Sequence, residues 1–437
     1  MSTSPRLESV KHSWGHDEIG CSILHVDMDA FFASCEVARH PHLAHHPVII
    51  GTGSRSVVST ANYEARQFGI HSAQSLASAH RLCPQGVFLP VDHQYYSMVS
   101  RRIFDQLRTL TDHLQQVSID EAYVDVSGIV YQWKGPVAIA RWIRQRVWDV
   151  AHVTCSVGIA SNMLIAKLAS TNAKPNGMLL IPASRNEEFI HMFPVQSVPG
   201  IGPATAKVLH QYGISTVQQL SELSVTQIQD ICHSSSLAYY LSEASHGISR
   251  RKVVPRKPEK SISEERTFTQ DTTSLAEVKT LVQHCADDIC LKLRSKQLVA
   301  RTITVKVRFA DFSYRTKSFT CPSPFTSSRY LMTYAFPLLC SLITTDHSAV
   351  ECDRPLRLAG LSVSKLSAQA QTAIQPELSL ETSQAPDHRF LEKSSQAEHV
   401  LDVIKTKYGD NSISFGLSPQ IKLEHGEVML KHEDHQE

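Results

Sequence analysis

The sequence predicts an α+β protein built from several domains. Three observations carry that reading. Strand-like and helix-like segments alternate over residues 21–182 and reverse through tight hairpins. A compact helical stretch occupies 183–248, and strand-and-helix text returns over 261–367. A length of 437 residues also suits two to four domains better than one.

In chain order, CSILHVDMD (21–29) is an apolar strand ending in acids, and AFFASCEVARH is the short helix behind it. PVIIG (47–51) is a strand, TANYEARQFG (60–69) and SAQSLASAHRLC (72–83) are helical, and VFLPVD (87–92) is a strand. YYSMVSRRIFDQLRTL (95–110) has apolar positions at helical spacing. LQQVSIDEAYVDVSG (114–128) is two strands around a tight connection that carries Asp120 and Glu121. A helix over 136–151, the strand TCSVGIAS and the helix NMLIAKLAS complete this part. Beyond the helical stretch, 249–260 is a basic linker, SISEERTFTQ and ARTITVKVRFADFSYRTKSFT are strands, and 275–298 is a helix. LRLAGLSVSKL (356–366) is a closing strand. The Gln-, Ser- and Glu-rich remainder is expected to be largely disordered, with one helical patch at 397–409.

Composition excludes several classes. With 42% hydrophobic and 19% charged residues the chain is an ordinary globular one. It has no apolar run of the ~18 residues a membrane helix requires. The polar N-terminus lacks a secretory h-region, so a cytoplasmic protein is expected. Ten scattered cysteines, without a CxxC pair, read as reduced thiols. No HxxxH with cysteine or glutamate partners appears, so the 23 histidines read as solvated rather than as a zinc site. A net charge of +1 hides an asymmetry. Residues 250–330 hold 17 Lys and Arg against 8 Asp and Glu, whereas 369–437 hold 6 against 12. A basic block followed by an acidic tail suits a module that meets a polyanion.

Asp27, Asp120 and Glu121 each stand where a strand ends. A carboxylate there is costly unless compensated, by a basic partner or by a metal ion, or unless it simply faces solvent at a hairpin tip. Acids on one strand facing an acid pair on a neighbouring hairpin would make a hard, all-oxygen pocket suited to Mg²⁺. The surrounding words narrow the choice. HVDMDAFFAS (25–34), STANYEARQFGI (59–70), VSIDEAYVDVSG (117–128), CSVGIASNMLIAKLAS (155–170) and KPNG (174–177) occur in one order at compatible spacing. Together they closely resemble the Y family of DNA polymerases, in its DNA polymerase IV (DinB-type) branch, over about 22–366.

The resemblance implies a right-handed polymerase that copies past damaged template bases without proofreading. Its parts would be a flexible N-terminus (1–20), a palm with a ferredoxin-like antiparallel sheet (21–32 and 88–182), fingers (33–87), a helical thumb with a helix-hairpin-helix (183–248), the linker (249–260), a βα little finger (261–367) and the tail (368–437). Asp27 and Asp120 would bridge two Mg²⁺ ions, with Mn²⁺ a possible substitute; Glu121 would hold the ion beside the primer end, and the Met28 backbone carbonyl would complete the other. Asp29 would either cap the following helix or assist the metals. Phe32 would be the steric gate against a 2′-hydroxyl, with Phe31 as core. Tyr63 and Arg66, three apart on one helix face, and Lys167 would hold the dNTP triphosphate.

The wording PGIGPATAK places Gly200 and Gly202 where backbone N–H groups can approach phosphates of primed template DNA. Arg301, Lys306 and Arg308 lie on a strand pattern in the basic block and would grip the DNA backbone. In the tail, Gln375, Leu378 and Leu380 resemble the short peptide by which such polymerases bind a sliding clamp, although its final Phe is missing. A monomer is expected. Gln67, His71, Gln74, Ser75, Met163 and Thr171 depart from the family's usual residues, around the fingers and a supporting helix rather than at the acids. Two rivals from other classes, a nucleotidyl cyclase and a non-catalytic repair scaffold, leave respectively the hairpin glycines and the clustered acids unexplained. The UmuC-type branch, which works with accessory subunits, is the alternative within the family.

Overall fold

The structure is a computed structural model that describes residues 7–255, 258–345, 350–369, 398, 400–404 and 407–408. It divides into two compact units, Met1–Lys257 and Pro258–Glu437, within the basic stretch 249–260.

The first unit begins with β1 (Ile23–Met28) and α1 (Phe31–Arg39). Next come β2 (Val48–Ile50), β3 (Thr60–Ala61), α2 (Tyr63–Arg66), α3 (Leu76–Leu82), β4 (Val87–Leu89) and α4 (His93–Arg108). Then follow β5 (Leu114–Gln116), β6 (Glu121–Asp125), α5 (Pro136–Ala151), β7 (Cys155–Ala160), α6 (Met163–Ala173) and β8 (Met178–Leu180). The main sheet has the order β5-β6-β1-β7-β8. All its pairings are antiparallel except β7·β8, which adds a parallel edge strand that sequence alone did not suggest.

Period-two alternation along the central strand β1 assigns its side chains. Leu24, Val26 and Met28 enter a core with Ile103, Phe104 and Leu107 of α4 and Ile139, Ile143 and Val147 of α5. His25 and Asp27 therefore point to the opposite face, where His25 Nδ1 meets Ser170 Oγ of α6 at 2.7 Å. Gly158 on β7 lets α6 lie directly on the sheet, since a Cβ there would collide with the Ala166 carbonyl and the Ser170 amide.

A smaller sheet, β3-β2-β4, packs Ile49, Val58, Ala61, Ala65, Ile70 and Leu76 into a second core. The expected helix over 60–69 is here a two-residue strand followed by a single turn. Asn62 explains the switch: its side-chain oxygen accepts from the Val48 and Ala65 amides, and its nitrogen donates to the His46 carbonyl.

The helical part of this unit is α7 (Asn186–His191), α8 (Pro203–Gln211), α9 (Val217–Ser221), α10 (Val225–Cys232) and α11 (Ser235–Ser245). Reciprocal capping boxes, Thr216 with Gln219 and Ser224 with Gln227, start α9 and α10.

The second unit contains β9 (Ser261–Ser274), α12 (Leu275–Ser295), β10 (Leu298–Phe309), β11 (Tyr314–Phe325), α13 (Ser328–Ile343), β12 (Glu351–Ser364) and β13 (Ser367–Ala368). The antiparallel order is β11-β10-β12-β9, with α12 and α13 packed on the sheet through Ile303, Val305, Val307 and Phe309. Helix α13 escaped the sequence reading because Pro337 stands inside it.

Residues 398, 400–404 and 407–408 are helical, in the patch expected at 397–409. Buried Glu398 accepts from Arg294 at 2.6 Å, Ser327 Oγ at 2.8 Å and the Ser328 amide at 3.1 Å. Gln375, Leu378 and Leu380 lie outside the described residues. Among the described residues no helix is long and apolar enough to cross a membrane.

Candidate active site

The sheet register brings the three acids together. Asp27 stands opposite Glu121 in the β1·β6 pairing, and the Met28 amide donates to the Asp120 carbonyl at 2.9 Å, which closes the hairpin tip onto β1. Asp27 is 6% exposed, so the trio is not a set of solvated tip residues. Met28 keeps its side chain in the core.

Each carboxylate has its own partner. Lys174 pairs with Asp27, Lys167 Nζ meets Glu121 Oε2 at 2.7 Å, and Ser118 Oγ donates to Asp120 while accepting from the Asp120 and Glu121 amides. Burial raises the Asp120 pKa, Ser118 opposes this, and the Asp27 charge raises it further. Burial alone would push Glu121 up as well, but the Lys167 ammonium 2.7 Å away outweighs it and holds this carboxyl below its usual range. His25 Nε2 lies 3.6 Å from Glu121, too long for a hydrogen bond, and burial keeps the ring neutral by lowering its pKa.

The donor set suits hard divalent cations: all-oxygen ligands, crowded negative charge, and two ammonium groups supplying the positive charge at present. Asp27, Asp120 and Glu121 are the residues that would hold such ions. Among the described residues, the group whose ligand atoms all lie within 4.8 Å of one another is a different one, Glu187, His191 and His246.

Asp29 does not cap the following helix. Helix α1 starts at Ala30, which is left-handed at φ 44° and receives no side-chain cap. Asp29 is 1% exposed and accepts from Ser156 Oγ and Thr154 Oγ1 at 2.9 Å, from the Asn176 amide at 2.8 Å and from the Tyr63 hydroxyl at 3.4 Å. One buried carboxylate thus ties the 174–177 loop and Tyr63 of α2 to the acid-bearing strand.

Tyr63 and Arg66 do share a face: the Arg66 guanidinium lies 4.8 Å from the Tyr63 ring centroid and its Nε donates to the Ala61 carbonyl. Phe31 is buried core, while Phe32 is half-buried and stacked on Tyr96 at 4.4 Å, with His93 at its edge. Fully buried Tyr96 donates to buried Glu36 at 2.8 Å, so the ring behind Phe32 is rigidly held.

Away from the acids, Gly200 has φ +102° and lies against the Tyr240 ring, whose hydroxyl donates to the Pro199 carbonyl. Gly202 begins α8, and a Cβ there would meet open space. In the second unit Lys306 and Arg308 share the sheet face opposite the helices, where Lys306 pairs with Glu265 at 2.8 Å. Arg301, an odd number of residues from both, falls out of their alternation; it lies at the register shift between Ala300 and Thr302, and its guanidinium donates to the Pro322 carbonyl. Arg315 and Lys317 reach instead to Leu342 and Ser341 of α13.

Sequence reasoning gave Lys174 and Asp29 no firm role. The signal for Lys174 was its place in KPNG; for Asp29 it was the spacing of two from Asp27, which puts both on one side of a strand end.

Comparison with known proteins gives a consistent set. The impB/mucB/samB family matches residues 26–171 and its C-terminal domain matches 259–378, with a SAM-like helix-hairpin-helix tandem at 194–231. A DNA polymerase IV of Methanoculleus marisnigri is 38% identical over 349 residues, covering 79% of this chain and 94% of the relative. Another from Dehalococcoides mccartyi is 34% identical over 402 residues, covering 92% and 98%. A DNA polymerase IV of Streptococcus agalactiae serotype Ia is 38% identical over 303 residues, covering 68% and 83%. Among solved structures, a chimeric Y-family DNA polymerase superposes with a TM-score of 0.71 at 25% identity, covering 79% of this chain and 99% of its own.

Proposed function

Because the chain belongs to the Y family of DNA polymerases, the impB/mucB/samB family, we propose that it extends primed template DNA with dNTPs by two-metal-ion nucleotidyl transfer. It is a DNA-directed DNA polymerase of the polymerase IV kind, and the family places it in translesion synthesis. The observation that carries the mechanism is the facing pair Asp27 and Glu121, with Asp120 at the adjoining hairpin tip.

When bound, two Mg²⁺ ions, or Mn²⁺ in their place, would acidify the primer 3′-hydroxyl and neutralise triphosphate charge. Asp27, Asp120 and Glu121 would hold these ions, with Glu121 toward the primer side and the Met28 carbonyl toward the nucleotide side. Lys174, now on Asp27, changes partner and is released to a phosphate oxygen, where its ammonium is a compact point charge. We assign the triphosphate contact to Lys174 together with Tyr63 and Arg66, and give Lys167 the task of orienting Glu121. Phe32, braced by Tyr96, closes the space at C2′ of the incoming sugar. Gly200 and Gly202 approach the duplex phosphates, and Lys306 and Arg308, with Arg301 at the bulge, grip the backbone without reading bases.

The enzyme copies without excising mismatches, works as a monomer in the cytoplasm, and binds a sliding clamp through 375–380. Primer extension on undamaged and abasic templates, with and without Mg²⁺, tests the reading. Asp120→Asn is expected to abolish extension; normal rates in that variant would remove the mechanism. A mismatched primer end that is trimmed rather than extended would remove the claim about proofreading.

A further inference from the structure

We propose that Glu187, His191 and His246 form a binding site for one Zn²⁺ ion, separate from the carboxylates of the main sheet and independent of their role. Glu187 and His191 are four apart on α7, so they project from one face of the helix. His246 follows α11 directly and brings a second imidazole from another element. One ligand atom from each lies within 4.8 Å of the others. Glu187 Oε1 is 3.1 Å from His246 Nδ1 and 3.9 Å from His191 Nε2.

Zinc bonds of about 2.0–2.2 Å to nitrogen and carboxylate oxygen put tetrahedral ligands about 3.3–3.5 Å apart. The Glu187–His246 separation already lies close to that range, and the Glu187–His191 separation needs to contract by about half an ångström. Glu187 and His246 can supply that movement, because their side chains are 57% and 42% exposed. Their exposure also leaves the fourth position open to water. Two imidazoles with a single carboxylate favour zinc over Mg²⁺ or Ca²⁺, which take oxygen ligands.

The backbone that presents these ligands is held in place. Gly247 has φ +71°, and a Cβ there would lie 2.8 Å from the carbonyl carbon of Asn186, so the chain beside His246 is pressed against the first residue of α7. The Asn162 side chain donates to the Gly247 carbonyl at 2.9 Å, and the Asn186 side chain to Ser161 Oγ at 2.7 Å. His191 Nε2 lies 3.0 Å from the Ser245 carbonyl, which requires a proton on that nitrogen in the metal-free state. Ligation moves this proton to Nδ1 and turns Nε2 toward the ion, with no net proton release from that ring.

The test uses the full chain, stripped with chelator and titrated with Zn²⁺ in excess Mg²⁺, which occupies oxygen-only pockets without competing for imidazole. Calorimetry and Co²⁺ substitution are the readouts. The proposal expects one tight equivalent, a tetrahedral cobalt absorption and a Zn²⁺-dependent rise in melting temperature. His246→Ala should lose that equivalent or weaken it by more than roughly tenfold, with Mg²⁺-dependent primer extension unchanged. Glu187→Gln, nearly isosteric, keeps the test valid if the alanine variant folds poorly. Wild-type binding and cobalt spectra retained in Glu187→Gln and His246→Ala, or no tight equivalent in the wild type, would overturn the site and leave an ordinary Glu–His ion pair.

Discussion

Lys174 is ion-paired with Asp27 across 147 residues of chain. The two side chains hold opposite charges at the point where β1 ends, and both side chains are shielded from solvent. Lys174 should therefore act on the nucleotide more directly than Lys167, whose ammonium belongs to Glu121. Lys174→Ala is expected to raise the KM for dNTP by roughly ten- to hundredfold, the worth of one charged hydrogen bond. Lys167→Ala should mainly lower kcat. Single-nucleotide incorporation kinetics separate the two, and the opposite pattern would reverse the assignment.

Asp29 offers both oxygens to donors from three other segments. Asn in its place keeps one acceptor and turns a donor toward other donors. Asp29→Asn should cost about 1–3 kcal/mol of stability by leaving buried donors unpaired. It should also raise the dNTP KM, because Tyr63 and the 174–177 loop lose their common anchor. Denaturant unfolding and steady-state kinetics on the same preparation check both effects.

The two acids at the hairpin tip have opposite stability signatures. Glu121 titrates below its unfolded value, so its contribution is present above the ordinary carboxylate range and is lost as the pH falls through the folded value. Asp120 titrates above its unfolded value, so its contribution is present at low pH and is lost as the pH rises. In EDTA at pH 7, Asp120→Asn should melt higher than wild type although it is inactive. Glu121→Gln should melt lower at pH 7 and show a flatter acid limb. Added Mg²⁺ should shrink the Asp120→Asn advantage, and melting curves from about pH 3, below the ordinary carboxylate values, to about pH 8, well above them, read all three.

Phe32 is backed by Tyr96, which is itself fixed by Glu36. Phe32→Val removes most of the ring without disturbing that support, and should lower discrimination against ribonucleotides by roughly tenfold or more. Incorporation of paired dNTP and rNTP substrates measures it; unchanged selectivity would move the gate elsewhere.

Gly158 is required by packing rather than by backbone conformation. Gly158→Ala forces α6 away from β7 and should cost about 3 kcal/mol or more, at the upper end for overpacked cores. Because α6 carries Lys167, activity should fall with it. A urea midpoint equal to wild type would show that the helix can shift without penalty.

Much of the main sheet was readable. CSILHVDMD and VSIDEAYVDVSG announce strands by their apolar runs and their acids, and 136–151 matches α5 end to end. The misses have physical causes. The edge strand β8 is three residues long, too short for a period to show. The turn around Asn62 depends on amides from Val48, fourteen residues away, which no local propensity contains. Helix α13 was hidden by a proline that the helix accommodates.

The sequence alone was enough to mark the family words, the acids and the α+β pattern, because motif order and hydrophobic period are properties of neighbouring residues. It also placed Tyr63 and Arg66 on one face and separated Phe31 from Phe32. Only the folded chain decided which lysine serves which acid, why Asp29 is buried, and that the Arg301 guanidinium turns to the Pro322 carbonyl. It alone gathered Glu187, His191 and His246. Those relationships join side chains far apart in sequence, and their distances are set by strand register and helix packing, which no local pattern encodes.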